Sequence, residues 1–113
     1  MGNRKKAASG RASVRIEIQP SALADLKRGF YFYESQESGL GDYFLNSLYS
    51  DVDSLLLYAG IHSIHFGGFH RLLAKRFPYG VYYKLDEQRV FVAAILDLRR
   101  DPKWISRKLG GQT

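Results

Sequence analysis

The sequence has no cysteine, one tryptophan, one methionine and three prolines in 113 residues. Without cysteine there is no disulfide framework, so packing and hydrogen bonds must hold the fold. No run approaches the roughly 18 apolar residues of a membrane span, and the N-terminus carries no apolar signal core; a cytoplasmic protein is expected. Internal repeats and low-complexity linkers are absent. So are the common enzyme signatures. Gly39, Gly41, Gly67 and Gly68 do not form a GxxxxGK[ST] or GxGxxG phosphate loop, and no Ser, Cys or Lys sits in a recognised nucleophile motif. His62, His65 and His70 lack the cysteines, the HExxH pair or the nearby acid that a zinc site would use. No metal and no cofactor are expected.

What is present is aromatic and basic. Eight Tyr and seven Phe against one Trp make 14% of the chain aromatic, within an ordinary 45% apolar content, so much of the core should be aromatic. The length allows one domain with one core. The net charge of +6 is uneven: residues 1 to 15 carry five cations and no acid, residues 21 to 58 sum to −4, and residues 69 to 108 sum to +6. A domain with an acidic helical half and a basic sheet half favours an anionic partner on the sheet side.

Residues 1–13, polar and basic, offer little to bury and are expected to be a disordered tail; the folded domain is expected over 14–109, with 110–113 frayed. Val14 to Ile18 alternates apolar with charged, a short strand with one buried face. Pro20 ends it and Ser21 is placed to cap a helix. Leu23, Leu26, Phe30 and Tyr33 form that helix's apolar stripe, with Tyr31 and Phe32 on its flanks directed at the sheet and a second helix. Ser38 to Gly41 breaks it. Phe44, Leu48, Val52 and Leu55, with Leu45 and Leu56 beside them, sustain a second helix to about Tyr58, with Gly60 as its stop. Ile61 to Gly68 reads as a connection.

The remainder reads as an antiparallel meander. Phe69 to Phe77 alternates and carries basic side chains on both faces; Pro78 marks a bend; Tyr79 to Leu85 resumes; Asp86-Glu87-Gln88 is a turn. Val90 to Leu98 is nearly continuous apolar sequence, as in a central strand covered on both faces. Asp101 and Pro102 are an N-cap and first-turn pair for a short final helix. The fold class is therefore α+β: an N-terminal strand, an antiparallel helix hairpin, a three-stranded antiparallel meander and a short C-terminal helix.

The candidate surface is a mixture of cations and aromatics: Arg71, Lys75 and Arg76 on one strand, Tyr79, Tyr82 and Tyr83 on the next, and Arg99, Arg100, Lys103 and Trp104 at the exit of the last. Such a set suits RNA, where cations hold phosphates and rings stack on bases, and equally an acidic protein segment. Asp97 beside Arg99 reads as a structural ion pair.

Several of these segments together resemble a family. Ala24-Asp25-Leu26, Tyr33-Glu34, Gly39-Leu40-Gly41, Phe77-Pro78-Tyr79-Gly80-Val81-Tyr82-Tyr83, and Ile95-Leu96-Asp97-Leu98-Arg99-Arg100-Asp101-Pro102 with Trp104 are similar to the RelE/ParE superfamily of type II toxin-antitoxin toxins, over about residues 14 to 109. The resemblance implies a growth-inhibiting toxin, of the kind used in plasmid stabilisation, neutralised by a cognate antitoxin in a hetero-oligomer. RelE-like members cleave mRNA on the ribosome without metal; ParE-like members poison DNA gyrase and are not enzymes. Carried over from the nuclease pattern, Arg71 matches a basic strand position, Arg99 or Arg100 the late arginine, and Trp104 lies near the aromatic position of the tail; Arg71, Arg76, Tyr82, Tyr83, Arg99 and Arg100 are the catalytic candidates. Arg71, Lys75, Arg76, Arg99, Arg100, Lys103 and Trp104 are the candidates for holding the target or antitoxin. Gly80 stands where RelE-like nucleases place a key arginine, Leu73 where a second basic residue is expected, and Asp97 where relatives often carry His. These departures put the gyrase target ahead of mRNA cleavage, with a non-toxic binding module of the same fold as a third reading.

Overall fold

A computed structural model describes residues 14–110; the basic tail expected over 1–13 and the end at 111–113 lie outside the described residues. Strand β1 (Arg15–Ile18) leads through Gln19 into helix α1 (Pro20–Glu34), then come α2 (Leu40–Asp53), a single turn α3 (Leu55–Tyr58), β2 (Ile64–His65), β3 (Phe69–Leu73), β4 (Tyr79–Asp86), β5 (Arg89–Asp97) and α4 (Pro102–Lys108). The strands form one sheet in the order β1-β5-β4-β3-β2. The expected meander β3-β4-β5 is present, and the fold class is α+β as the sequence implies.

Two strands border the meander. β1 lies parallel to β5, with Arg15 opposite Arg89 and Ile18 opposite Val92. β2 falls in the segment read as a plain connection and pairs antiparallel with β3 through Ile64↔His70 and His65↔Phe69. Strand β3 also stops at Leu73, four residues short of the expected Phe77. Lys75 and Arg76 therefore sit in a turn, where the Asp51 carboxylate of α2 accepts from Lys75 N–H at 3.2 Å. Phe77 folds inward, its ring 4.8 Å from Tyr33 and 5.1 Å from Phe44. Burying that ring explains the early end of the strand, because a continued extended chain would carry it away from the helices.

One irregularity sets which side chains face which layer. Tyr82 pairs with Ala94 and Tyr83 with Val92, so Ala93 is an extra residue on β5, a bulge. Val90, Val92 and Ile95 consequently share the helix-hairpin core with Val81 and Tyr83. Ala94 and Leu96 fall on the other face with Tyr82, under Ile105 of α4. β5 is thus interior and covered on both faces, although the middle position of the sheet belongs to β4.

The helix hairpin departs from the expected stripe. The buried face of α1 is Ala22, Asp25, Leu26, Gly29 and Tyr33, while Leu23, Tyr31 and Phe32 are exposed. Small residues at 22 and 29 are the reason. A Cβ on Gly29 would sit 2.4 Å from Phe44 Cζ, and a Cβ on Gly41 would sit 2.7 Å from the Phe30 ring. Each helix drops a phenylalanine into the other's glycine, so the axes approach closely. Phe44, Leu48, Val52 and Leu55 are all buried as their spacing predicts. The expected single helix nevertheless breaks at Ser54, whose hydroxyl donates to Asp51 C=O at 2.6 Å. Leu56 is exposed on the short α3.

Ser21 does not cap α1. Gln19 is the N-cap residue, Pro20 occupies the first turn without an N–H to satisfy, and the Ser21 hydroxyl instead donates across to Ala93 C=O at 2.6 Å. One turn on, the Asp25 carboxylate accepts from Ile95 N–H at 2.9 Å. These two side chains serve the stretch of β5 that runs past the end of β1. The α1–α2 turn is closed by Glu34, whose carboxylate accepts from Gly39 N–H at 3.1 Å and Gly41 N–H at 2.9 Å, satisfying first-turn donors of α2. Asp101 caps α4 by accepting from Lys103 N–H at 2.8 Å, as its position before Pro102 predicts.

Candidate functional site

The basic residues gather at one end of the sheet because two connections meet there. Tyr79 at the start of β4 pairs with Asp97 at the end of β5, and Leu98 N–H donates to Pro78 C=O at 2.8 Å. The β3–β4 turn brings Lys75 and Arg76 to this end, and the β5–α4 turn brings Arg99 and Arg100. The arrangement wraps around the end of the sheet; it does not lie on one face.

Arg99 folds back on Asp97 in a bidentate pair, Nε to Oδ1 at 2.9 Å and Nη2 to Oδ2 at 2.7 Å, with Arg99 N–H adding a third bond to Oδ1 at 2.9 Å. The guanidinium bond holds the Asp97 carboxyl below the usual carboxylate range, and Asp97 in turn holds the Arg99 proton more firmly. Arg99 leans toward the helices, its Nη2 donating to the Tyr33 hydroxyl at 3.5 Å. Beside it the Tyr79 phenol is pushed up to about 12, chiefly by burial. Tyr33 is raised for the same reason. Both phenols therefore stay protonated at neutral pH.

Arg100 leans the other way, its guanidinium 3.8 Å from the centre of the Trp104 ring, with the Lys108 ammonium 5.5 Å away. Between α1, the end of β5 and α4 lies an open cleft of about 320 Å³, lined in part by Asp25, Arg28, Phe32, Asp97, Arg100 and Trp104. Arg28 pairs with Asp25 three residues before it. Burial raises the Asp25 carboxyl above its ordinary value, against the lowering effects of Ile95 N–H and Arg28. Lys103 is exposed on the first turn of α4.

Arg71 approaches from β3. Its Cδ lies 3.2 Å from where a Gly80 Cβ would be, and Leu98 Cδ2 lies 3.1 Å from the same point. The stem of Arg71 thus occupies the space over Gly80. Its Nε and the hydroxyl of its cross-strand partner Tyr82 are buried without a hydrogen-bond partner among the described residues.

Tyr82 and Tyr83 do not join this group. Both are 0% exposed, and as strand neighbours they point to opposite faces. Tyr82 packs under α4. The Tyr83 hydroxyl accepts from Gly60 N–H at 2.8 Å and shares a 2.6 Å bond with His62 Nδ1, while its ring stacks on His70 at 5.0 Å. His70 Nδ1 bonds to His62 C=O at 2.7 Å. Two of the three histidines are thus tied to this structural tyrosine.

The site gains residues that sequence reasoning passed over. Arg28, three residues after Asp25 on a helix, is a legible pair, but its place in the cleft depends on α1 crossing the end of β5. Tyr33 is legible only as core, and nothing local shows it beneath Arg99.

The architecture is an α+β domain with a helix hairpin on one face of a mixed five-stranded sheet and a short helix on the other. No family model matches the sequence, and no curated protein matches it. Among solved structures, a chain described as "Chromosomal ParDE TA system from P. aeruginosa" is similar to it at a TM-score of 0.64 and 15% identity, over 76% of this chain and 97% of that one. At that identity the likeness shows the fold alone: the chain shares the α+β fold of that structure. No helix among the described residues is long and apolar enough to cross a membrane.

Proposed function

We propose that this chain is the toxin of a type II toxin-antitoxin system, a cytoplasmic growth inhibitor silenced by a cognate antitoxin, and that it acts as a ParE-like inhibitor of DNA gyrase. The supporting observation is the chemistry at the basic end of the sheet. Its arginines are positioned to bind: Arg99 is clamped by Asp97 and Arg100 is spread on Trp104. The two tyrosines that a cleavage mechanism would recruit are wholly buried, and burial keeps the Tyr79 phenol protonated, so it does not rest as a general base. Lys75, Arg76, Arg100 and Lys103 remain as cations for an acidic surface, either of the target or of the antitoxin.

A second reading, RelE-like cleavage of mRNA on the ribosome, is favoured by one observation, the unpartnered Arg71 Nε beside the unpartnered Tyr82 hydroxyl. Induced expression, with and without the product of the adjacent reading frame, tests the proposal. Growth arrest relieved by the neighbour, with relaxed plasmid DNA and intact mRNA, is the expected result. Unimpaired growth overturns the toxin assignment, and codon-phased mRNA ends overturn the gyrase target. The double variant Arg100→Ala/Lys103→Ala should weaken arrest without lowering the melting temperature, because both side chains are exposed.

A further inference from the structure

Charge in this molecule separates by side as well as by end. In β1 the apolar Ile16 and Ile18 pack against the helix-hairpin core, so Arg15 and Glu17 point to the side of the sheet that carries α4. Tyr82 and Ala94 face that side too. The alternation of β4, with Lys84 opposite Phe91 and Asp86 opposite Arg89, sends those four residues the same way. Arg71 joins them from β3 as the partner of Tyr82. With Arg100 leading into α4 and Lys103, Arg107 and Lys108 on it, the α4 side holds eight cations against three acids, Glu17, Asp86 and Asp101. Two of the three acids are engaged: Glu17 accepts from Arg89 at 2.6 Å, and Asp101 accepts from Lys103 N–H at 2.8 Å. The rest of residues 14–110 carries five cations against eight acids, six of them in the hairpin of α1 and α2.

Every cation–π contact among the described residues lies on the α4 side. Lys84 sits 4.5 Å from the centre of the Phe69 ring and Arg89 4.9 Å from that of Phe91, while Arg100 and Lys108 approach Trp104 to 3.8 and 5.5 Å. Phe69, Phe91 and Ala93 floor an open groove of about 370 Å³ beside Lys84. Each of the three rings is thus covered by a cation, and what the face presents outward is charge. A cation already settled on a ring loses little freedom when it meets a counter-charge. From Arg15 on β1 to Arg71 on β3 is three inter-strand spacings, about 14 Å, enough to reach phosphates on both banks of a groove about 12 Å wide.

We propose that this side of the molecule binds duplex DNA through its phosphates, without regard to sequence. The excess of cations calls for a polyanion, and the acidic hairpin turns a polyanion away from the opposite side. Among polyanions the duplex fits best. Its bases are stacked inside and its charge lies outside, one negative charge per ~1.7 Å of axis, so it asks for spread cations and not for rings. A single strand is held largely by stacking on bare aromatic rings, and here the rings are occupied. Residues 1–13 place four more cations and no acid ahead of Arg15. The proposal concerns the chain by itself and is independent of the toxin assignment.

Fluorescence anisotropy of the full chain with a short labelled duplex of mixed sequence, over a series of salt concentrations, tests it. The expected result is micromolar binding whose logarithm falls with the logarithm of salt at a slope of about −3 or steeper. Arg15→Glu and Lys84→Glu, both at exposed positions, should each weaken binding by about tenfold at about 0.1 M salt and make the slope shallower by about one. Arg15→Glu carries the test if Lys84→Glu melts early. Lys27→Glu, exposed on α1, changes the net charge equally and is the control; at about 0.1 M salt, where the Debye length is about 10 Å, it should leave binding within about twofold. Absence of binding at low salt overturns the proposal, as does a loss from Lys27→Glu equal to that from the other two. Tighter binding of the matching single strand overturns it and gives the face to unpaired bases. Polyglutamate that displaces the duplex at equal total charge also overturns it, and gives the face to an acidic protein.

Discussion

Tyr83 shows how much of this molecule turns on single side chains placed between layers. Its hydroxyl satisfies both Gly60 N–H and the His62 ring, so Tyr83→Phe should destabilise the fold by about 1 to 3 kcal/mol, the range for leaving buried polar groups unpaired, as measured by chemical denaturation. His62 adds a pH signature. Burial, helped by the nearby His70, holds its imidazole below the ordinary value. The unfolded chain therefore takes up a proton near pH 6.5 that the folded chain resists, and stability should fall as pH is lowered through that value. Denaturation at pH 7.5 and 5.5 should show the loss, and His62→Gln should reduce it. None of this was legible in the sequence. Tyr79 to Tyr83 is apolar at every position except Gly80, so alternation could not say that both faces of β4 are covered, and two tyrosines that look like candidates for chemistry are structural. Arg99 and Arg100, by contrast, share one turn at the end of the sheet yet lean to opposite sides of it, Arg99 toward Tyr33 and Arg100 onto Trp104.

At the scale of elements, the hairpin of α1 and α2 is a case of propensity yielding to packing. Glycine inside a helix costs about 1 kcal/mol relative to alanine, yet Gly29 is where the Phe44 ring lies. Gly29→Ala should be destabilising by about 1 to 3 kcal/mol despite the gain in propensity, seen as a lower melting temperature. The sealing of β5 makes a second prediction. Asp25→Ala leaves Ile95 N–H without its acceptor and should cost about 1 to 3 kcal/mol; Asp25→Asn keeps an oxygen in place and should recover most of that. The element order, the second helix's stripe and the cap of α4 were readable, since each rests on local spacing. The parallel pairing of β1 with β5 was not, being a contact across more than 70 residues. β2, two residues long, is too short to show a period, and the end of β3 at Leu73 is imposed by Phe77 reaching the helices.

For the molecule as a whole, the polarity read from composition persists in three dimensions: the acidic segment forms α1 to α3 and the basic segment forms the sheet end and α4. Four of the cations behind the net +6 lie in residues 1–13, so residues 14–110 carry 13 cations against 11 acids, a net +2, and their mutual repulsion is small. The ion pair Arg89–Glu17 is exposed on both sides and contributes little. Raising salt from a low to a physiological level should therefore leave the melting temperature nearly unchanged, and a clear fall would mean that the ion pairs contribute more than their exposure implies. The site departs from the sequence reading in its shape. A basic face requires the cations of β3 to continue along a strand; with Lys75 and Arg76 in a turn, they crown the end of the sheet.

Ala93 has a consequence for how this chain can vary. The bulge absorbs the spare residue, so everything after it in β5 keeps the facing of a regular ladder that skips Ala93. Deleting Ala93 would let the ladder pass from Tyr83↔Val92 straight to Tyr82↔Ala94, so Ile95 would still face the helix hairpin and Leu96 would still face α4. What such a loss would remove is the Ala93 carbonyl that accepts from Ser21, so the shortening would be felt at the seam with α1 before it is felt in either hydrophobic layer.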